Sequence, residues 1–278
     1  MTEKFEIELV LDRRLVHLKE DLVTQDIRII KYEFDPSLHS AIVTVDAEAY
    51  DDAISKAVEK LENFLNLYFL YSFDARGISH SRQIASKSLS TGQQTTLVTA
   101  GAFLPKDFEK ETLDEINSGY LEDIAEKHNE YLRIAMDYFR RGGMEHYIDN
   151  RVIDYFVSLE ALYSKDEERT EMRYRFSNRI ATLLGENTSD RLDIQKKARS
   201  LYNKRSALVH GSLKKLEDAE QGILFRWIRE SILRFMSLSK IYPDHKTVMD
   251  KIDHAMIDNS VRDELRIKSQ DLLKKVMA

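Results

Sequence analysis

Apolar and polar residues alternate along Phe5, Ile7, Leu9 and Leu11, and two short β-branched or aromatic runs follow at 27–34 and 41–45. A period of two sends every second side chain to one face, so these stretches are predicted as strands. From about Ala47 to Phe73 the period lengthens, with Ala53, Ala57, Leu61, Phe64, Leu65, Tyr68 and Phe69 recurring at three and four. That stripe predicts an amphipathic helix packed on the sheet. Residues 74–94 are polar and rich in Ser, Gln and Gly, and read as a loop. Thr95 to Ala102 then reads as a further strand.

Pro105 marks a boundary that falls between 104 and 120. Beyond it the patterning is helical only: about 107–117, 119–141, 144–164, 167–184, 189–210 and 216–241, then one or two helices between 244 and 277. Gly142-Gly143 separates the second of these from the third, and Gly185 ends the fourth as a C′ glycine would. The expectation is a small α+β module over 1–105 followed by an all-α helical bundle over 106–278, mainly helical overall.

Composition narrows the chemistry. At 278 residues with 42% hydrophobic side chains the chain can bury a sizeable core, and three prolines with nine glycines suit long helices better than a turn-rich β protein. There is no cysteine, which removes disulfides, thiolate catalysis and every cysteine-ligated metal site. The eight histidines, including His80 in the loop pair His80/Arg82, show no ligand spacing, so no metal is expected. No glycine-rich phosphate loop or nucleophile elbow occurs, and no cofactor is called for. No signal peptide and no run near the roughly 20 apolar residues of a membrane span is present, so a soluble, cytoplasmic protein without membrane contact is expected.

The net charge of −6 argues against a polyanion partner until it is divided along the chain. Residues 165–240 hold 17 Lys/Arg against 11 Asp/Glu, while the remainder holds 25 against 37. The positive stretch favours contact with nucleic acid, although solvated helix faces are often basic for no such reason. Within it, Arg205-Ser-Ala-Leu-Val-His210-Gly211 closes a helix that begins near Asp190. A histidine can take the proton of a ribose 2′-hydroxyl, and a guanidinium can hold the charge growing on a phosphate. A five-residue separation turns side chains apart by about 140° on a helix. If Gly211 is the C′ residue, His210 sits in a frayed last turn from which it can swing back toward Arg205. Equally, two cationic side chains at a helix C-terminus can be there only to meet its dipole.

Three segments now read together: Tyr155-Phe-Val-Ser-Leu-Glu160-Ala-Leu-Tyr163, then Arg175-Phe-Ser-Asn-Arg179-Ile-Ala-Thr-Leu-Leu-Gly185, then Ala198-Arg-Ser-Leu-Tyr202-Asn-Lys-Arg205-Ser-Ala-Leu-Val-His210-Gly211. In order and spacing they resemble the Apea-like branch of the HEPN superfamily over about residues 145–245. The resemblance implies an up-and-down helical bundle that forms a homodimer, with arginines and histidines of both copies lining one cleft. It further implies a metal-independent endoribonuclease of microbial antiviral defence or a toxin–antitoxin pair, with RNA as substrate and a cognate antitoxin or defence protein as partner.

By position, Arg205 and His210 fall on the family's Arg-x4-6-His motif, and Glu160 and Arg179 on polar positions of the two preceding helices. Where active members carry Asn, Asp or His directly after the arginine, this chain has Ser206, whose hydroxyl can still bond a phosphate. Read from the residues alone, Glu160 borders an apolar face and either orients the Arg205/His210 pair or joins another arginine. Arg179 either meets a phosphate or carboxylate or forms a structural ion pair. Tyr202 either stacks on a base or packs between helices. The rival to the nuclease is a non-catalytic HEPN-type dimer that binds RNA, a nucleotide or a protein. In either case the 1–105 module would sense the trigger.

Overall fold

The computed structural model describes residues 2–11, 22–23, 26–31, 39–71, 80–88, 94–97, 129–145, 147–165, 171–211 and 216–277. The chain divides into two compact units, Met1–Ala125 and Glu126–Ala278. The expected boundary region at 104–120, the helix at 107–117 and the start of the one at 119–141 lie outside the described residues.

Among the described residues, the first unit is a six-stranded antiparallel sheet, order β2-β3-β4-β1-β5-β6, with one helix. Its strands are β1 (Glu3–Leu11), β2 (Leu22–Val23), β3 (Ile27–Lys31), β4 (His39–Ala47), β5 (His80–Ser88) and β6 (Gln94–Leu97), and α1 spans Tyr50–Tyr71. In the register of β1 on β4, Phe5 faces Val45, Ile7 faces Val43 and Leu9 faces Ala41. All six are buried, which is how the alternation at the start of the chain is used. α1 packs over β4 and β1 with Ala53, Ala57, Leu61, Phe64 and Leu65 buried. The polar segment 74–94 differs from its expected loop form, because His80–Ser88 within it is a strand. It pairs with the second edge of β1 from Phe5 to Leu11. Ladder bonds join backbone to backbone, so a strand flanked on both sides needs no apolar alternation of its own.

The second unit is helical: α2 (Glu130–Met144), α3 (Ile148–Tyr163), α4 (Met172–Leu184), α5 (Thr188–Val209), α6 (Asp218–Ser239), α7 (His245–Ala255), α8 (Asn259–Ser269) and α9 (Asp271–Met277). The stretch after 244 holds three short helices instead of one or two. Its core runs along α6, where Leu224, Ile228, Ile232, Leu233, Phe235, Met236 and Leu238 are buried. Tyr163 of α3 meets Phe235 edge-on at 5.2 Å and shares a hydrogen bond of 2.8 Å with Ser231. A buried tyrosine hydroxyl needs such a partner.

Two glycines act differently from their sequence reading. Gly142 does not break a helix but lies inside the last turn of α2, where an added Cβ would stand 2.6 Å from the Tyr155 ring. Gly185 ends α4 with a φ of −76°, so no left-handed turn requires it; a Cβ there would meet Arg191 Cγ at 2.4 Å. Both are close-approach positions. Gly211, with φ of +78°, is the left-handed C′ residue that its sequence context predicts.

Candidate functional site

α5 is 22 residues long yet buries only Ala198 and Leu201, so it lies along the outside of the bundle against α4 and α3. The Asn187 side chain caps its start by accepting from the Asp190 N–H at 3.0 Å. Its inner edge carries Tyr202, whose ring meets Phe156 of α3 at 5.9 Å and Phe176 of α4 at 5.5 Å. Of the two roles open to Tyr202, packing between helices is the one occupied.

One turn on, Arg205 donates from Nη2 to Glu160 Oε2 of α3 at 3.1 Å. Its guanidinium carbon lies 6.0 Å from the Tyr202 ring centre, and the Tyr202 hydroxyl interacts electrostatically with Glu160. Burial pushes the Glu160 carboxyl above its ordinary value, and Arg205 and Tyr202 offset only part of this. The Tyr202 hydroxyl is raised too, first by burial and then by the neighbouring Glu160 charge. Arg205 is 23% exposed, and its Nε is enclosed without a hydrogen-bond partner. Enclosing a charged donor without a partner is costly, so the pair holds Arg205 in place without saturating it.

His210 is the C-cap of α5 and its side chain is exposed. Its N–H donates to the Ser206 carbonyl at 3.2 Å, four residues back, and Gly211 N–H donates to Leu208 at 3.0 Å. The last turn is therefore still wound as a helix. His210 N–H thus keeps the helical bond to Ser206, and on an ideal helix a five-residue separation turns the two side chains about 140° apart. Among the described residues no hydrogen bond joins them. Ser206 lies half-buried between, contributing its carbonyl to the turn.

Arg179 belongs elsewhere. It is 1% exposed and holds Asp253 of α7 through Nε at 2.7 Å and Nη2 at 2.8 Å, while Nη1 donates to the Tyr163 carbonyl at 2.9 Å. Lys165 joins the same carboxylate at 2.7 Å. Burial raises the Asp253 carboxyl, but the bonds from Arg179 and Lys165 outweigh it and set Asp253 below its ordinary value. This is the structural ion pair of the two readings open for Arg179. Neither Asp253 nor Lys165 carried any local signal in the sequence, since the pairing spans 74 residues.

Other features do not compete. A cleft of about 530 Å³ at the opposite end of α5 is lined by Asn187, Arg262, Arg266 and Gln270, among others. Its arginines are engaged within the chain, Arg266 with the Glu186 carbonyl at 2.6 Å and Arg262 with Asp263 at 2.9 Å. Among the described residues no three His, Asp or Glu side chains are grouped to hold a metal ion, and no helix is long and apolar enough to cross a membrane. No family model matches the chain, and no curated protein or solved structure matches it significantly.

Proposed function

We propose that the helical unit is a HEPN-type bundle acting on RNA as a metal-independent endoribonuclease, in a microbial defence or toxin–antitoxin setting. The observation that carries this reading is the end of α5. An arginine with Nη1 and Nε unbonded among the described residues and an exposed, unbonded histidine side chain lie within six residues. In the reaction His210 takes the proton of a ribose 2′-hydroxyl, the oxygen attacks the adjacent phosphorus, and the 5′-oxygen leaves with a proton. Arg205 binds a non-bridging phosphate oxygen as charge builds there, with Glu160 and Tyr202 fixing its direction. The products are a 2′,3′-cyclic phosphate and a 5′-hydroxyl.

One chain keeps its own pair about 140° apart around α5. The reading therefore places Arg205 of one copy beside His210 of a second, in a homodimer. The test is incubation of RNA with the full chain in excess chelator, followed by end-group analysis. Cyclic-phosphate ends made by wild type and by neither Arg205→Ala nor His210→Ala are expected. Absence of cleavage, or equal cleavage by both variants, overturns the reading.

A second reading, a non-catalytic HEPN-type RNA-binding protein, is favoured by the Glu160 bond that already occupies part of Arg205. RNA binding retained by the double variant, with no cleavage by wild type, selects it.

A further inference from the structure

From Ile194 to Gly211 the chain has no Asp or Glu and has five Lys or Arg, namely Lys196, Lys197, Arg199, Lys204 and Arg205. Three of these are committed: Lys197 to Asp193 at 2.7 Å, Lys204 to Glu220 at 2.5 Å, and Arg205 to Glu160 at 3.1 Å. Lys196 and Arg199 are exposed and, among the described residues, have no ion-pair partner.

They are not scattered. Lys196, Arg199, Asn203 and His210 recur at intervals of three, four and seven, which is one face of a helix. Every one of the four is exposed. Beside them on α4, Arg173 is exposed and, among the described residues, donates to the neutral Asn203 at 2.8 Å. That bond fixes Arg173 against the α5 face without neutralising it. Tyr174, next in sequence, is 54% exposed. From Lys196 to His210 the face is about 21 Å long, room for several successive phosphates of one strand.

We propose that this outer face of α5, with Arg173 and Tyr174 of α4, is the track on which single-stranded RNA lies as it reaches His210. Lys196, Arg199 and Arg173 meet phosphates, which needs no sequence preference, and Tyr174 offers a ring on which a base can stack. The inference rests on the RNA reading above and adds the direction of approach. His210 stands at the end of the track because it shares its face, while Arg205, on the inner side, does not. Part of the positive surplus of residues 165–240 thereby acquires a location, since Lys196 and Arg199 lie on this one side of α5.

The experiment uses the full chain and a fluorescent 12-nucleotide RNA with 2′-O-methyl riboses, which cannot be cleaved by 2′-hydroxyl attack. Fluorescence anisotropy compares wild type, K196Q/R199Q and His210→Ala over a range of salt, with thermal melting to show that each folds. Removal of two phosphate contacts should lower the slope of log affinity against log salt by about 1.4, and weaken binding about tenfold at low salt. His210→Ala, which removes one side chain at the end of the track, should weaken binding less than K196Q/R199Q does. A K196Q/R199Q chain that melts like wild type and binds with the same affinity and slope overturns the track. If wild type binds with the expected dependence yet leaves ordinary RNA uncut, the nuclease reading alone falls. If wild type does not bind RNA, both fall together.

Discussion

Arg179 and Arg205 stand on adjacent helices, each facing a carboxylate from another helix, yet their environments differ in kind. Arg179 spends Nε, Nη1 and Nη2 on Asp253 and the Tyr163 carbonyl, and a lysine shares the same carboxylate. Among the described residues Arg205 makes one bond, to Glu160, and its enclosed Nε has no partner. A saturated guanidinium has nothing left for a ligand and serves the fold. An undersaturated one, aimed by a carboxylate and a tyrosine, is what a site for phosphate requires. Both arginines are candidates by sequence, and only their bonds separate the roles.

The difference is broken most sharply by deletion. Arg179→Ala strands Asp253 and removes the tie between α4 and α7, and should cost about 3–5 kcal/mol in denaturant unfolding. Arg205→Ala removes one bond and leaves Glu160, whose carboxyl is already raised by burial, to take up a proton, and should cost less, about 1–2 kcal/mol, while abolishing RNA cleavage. Equal destabilisation by the two would dissolve the distinction.

Acid sharpens it, because the two carboxylates are shifted in opposite directions. Asp253 is held below its ordinary 3.8, so its stabilisation is present above that pH and lost as pH falls through the lower folded value. Glu160 is raised above its ordinary 4.5, so its contribution is present below that pH and lost as pH rises through the higher folded value. Melting temperatures between pH 3 and 7 should show Asp253→Asn with a flatter acid limb than wild type, and Glu160→Gln with a smaller deficit at pH 7 than at pH 3. Parallel curves for the two variants would contradict the assignment.

Tyr202→Phe should have the smallest effect. It removes the hydroxyl beside Glu160 and leaves the ring packed on Phe156 and Phe176, at about 0.5 kcal/mol. Cleavage should fall only several-fold, since Arg205 keeps its carboxylate. Loss of cleavage as complete as in Arg205→Ala would make Tyr202 a direct participant.

Much of this architecture was legible in the sequence because it rests on local periodicity. The alternation along β1, the stripe of α1, and the end of α5 at Gly211 all follow from residues close together in the chain. β5 was not legible, since a strand flanked on both sides by partners takes its order from their backbone and not from its own side chains. The partners of Arg179 were hidden for a related reason, as Asp253 lies two further helices away. For the site, the sequence singled out Arg205, His210, Glu160, Arg179, Ser206 and Tyr202, of which Arg205, Glu160 and Tyr202 meet while Arg179 pairs with Asp253. It did not reveal that His210 stays on the helical path, because whether the last turn frays depends on a backbone bond to Ser206.

That last point makes the central claim testable by mixing. Arg205→Ala and His210→Ala chains, each inactive alone, are combined under conditions that allow copies to exchange, and cleavage of RNA in excess chelator is measured. If the arginine of one copy works with the histidine of another, each mixed dimer holds one intact site and activity returns. No recovery despite exchange of copies, or no cleavage by wild type itself, would contradict the account.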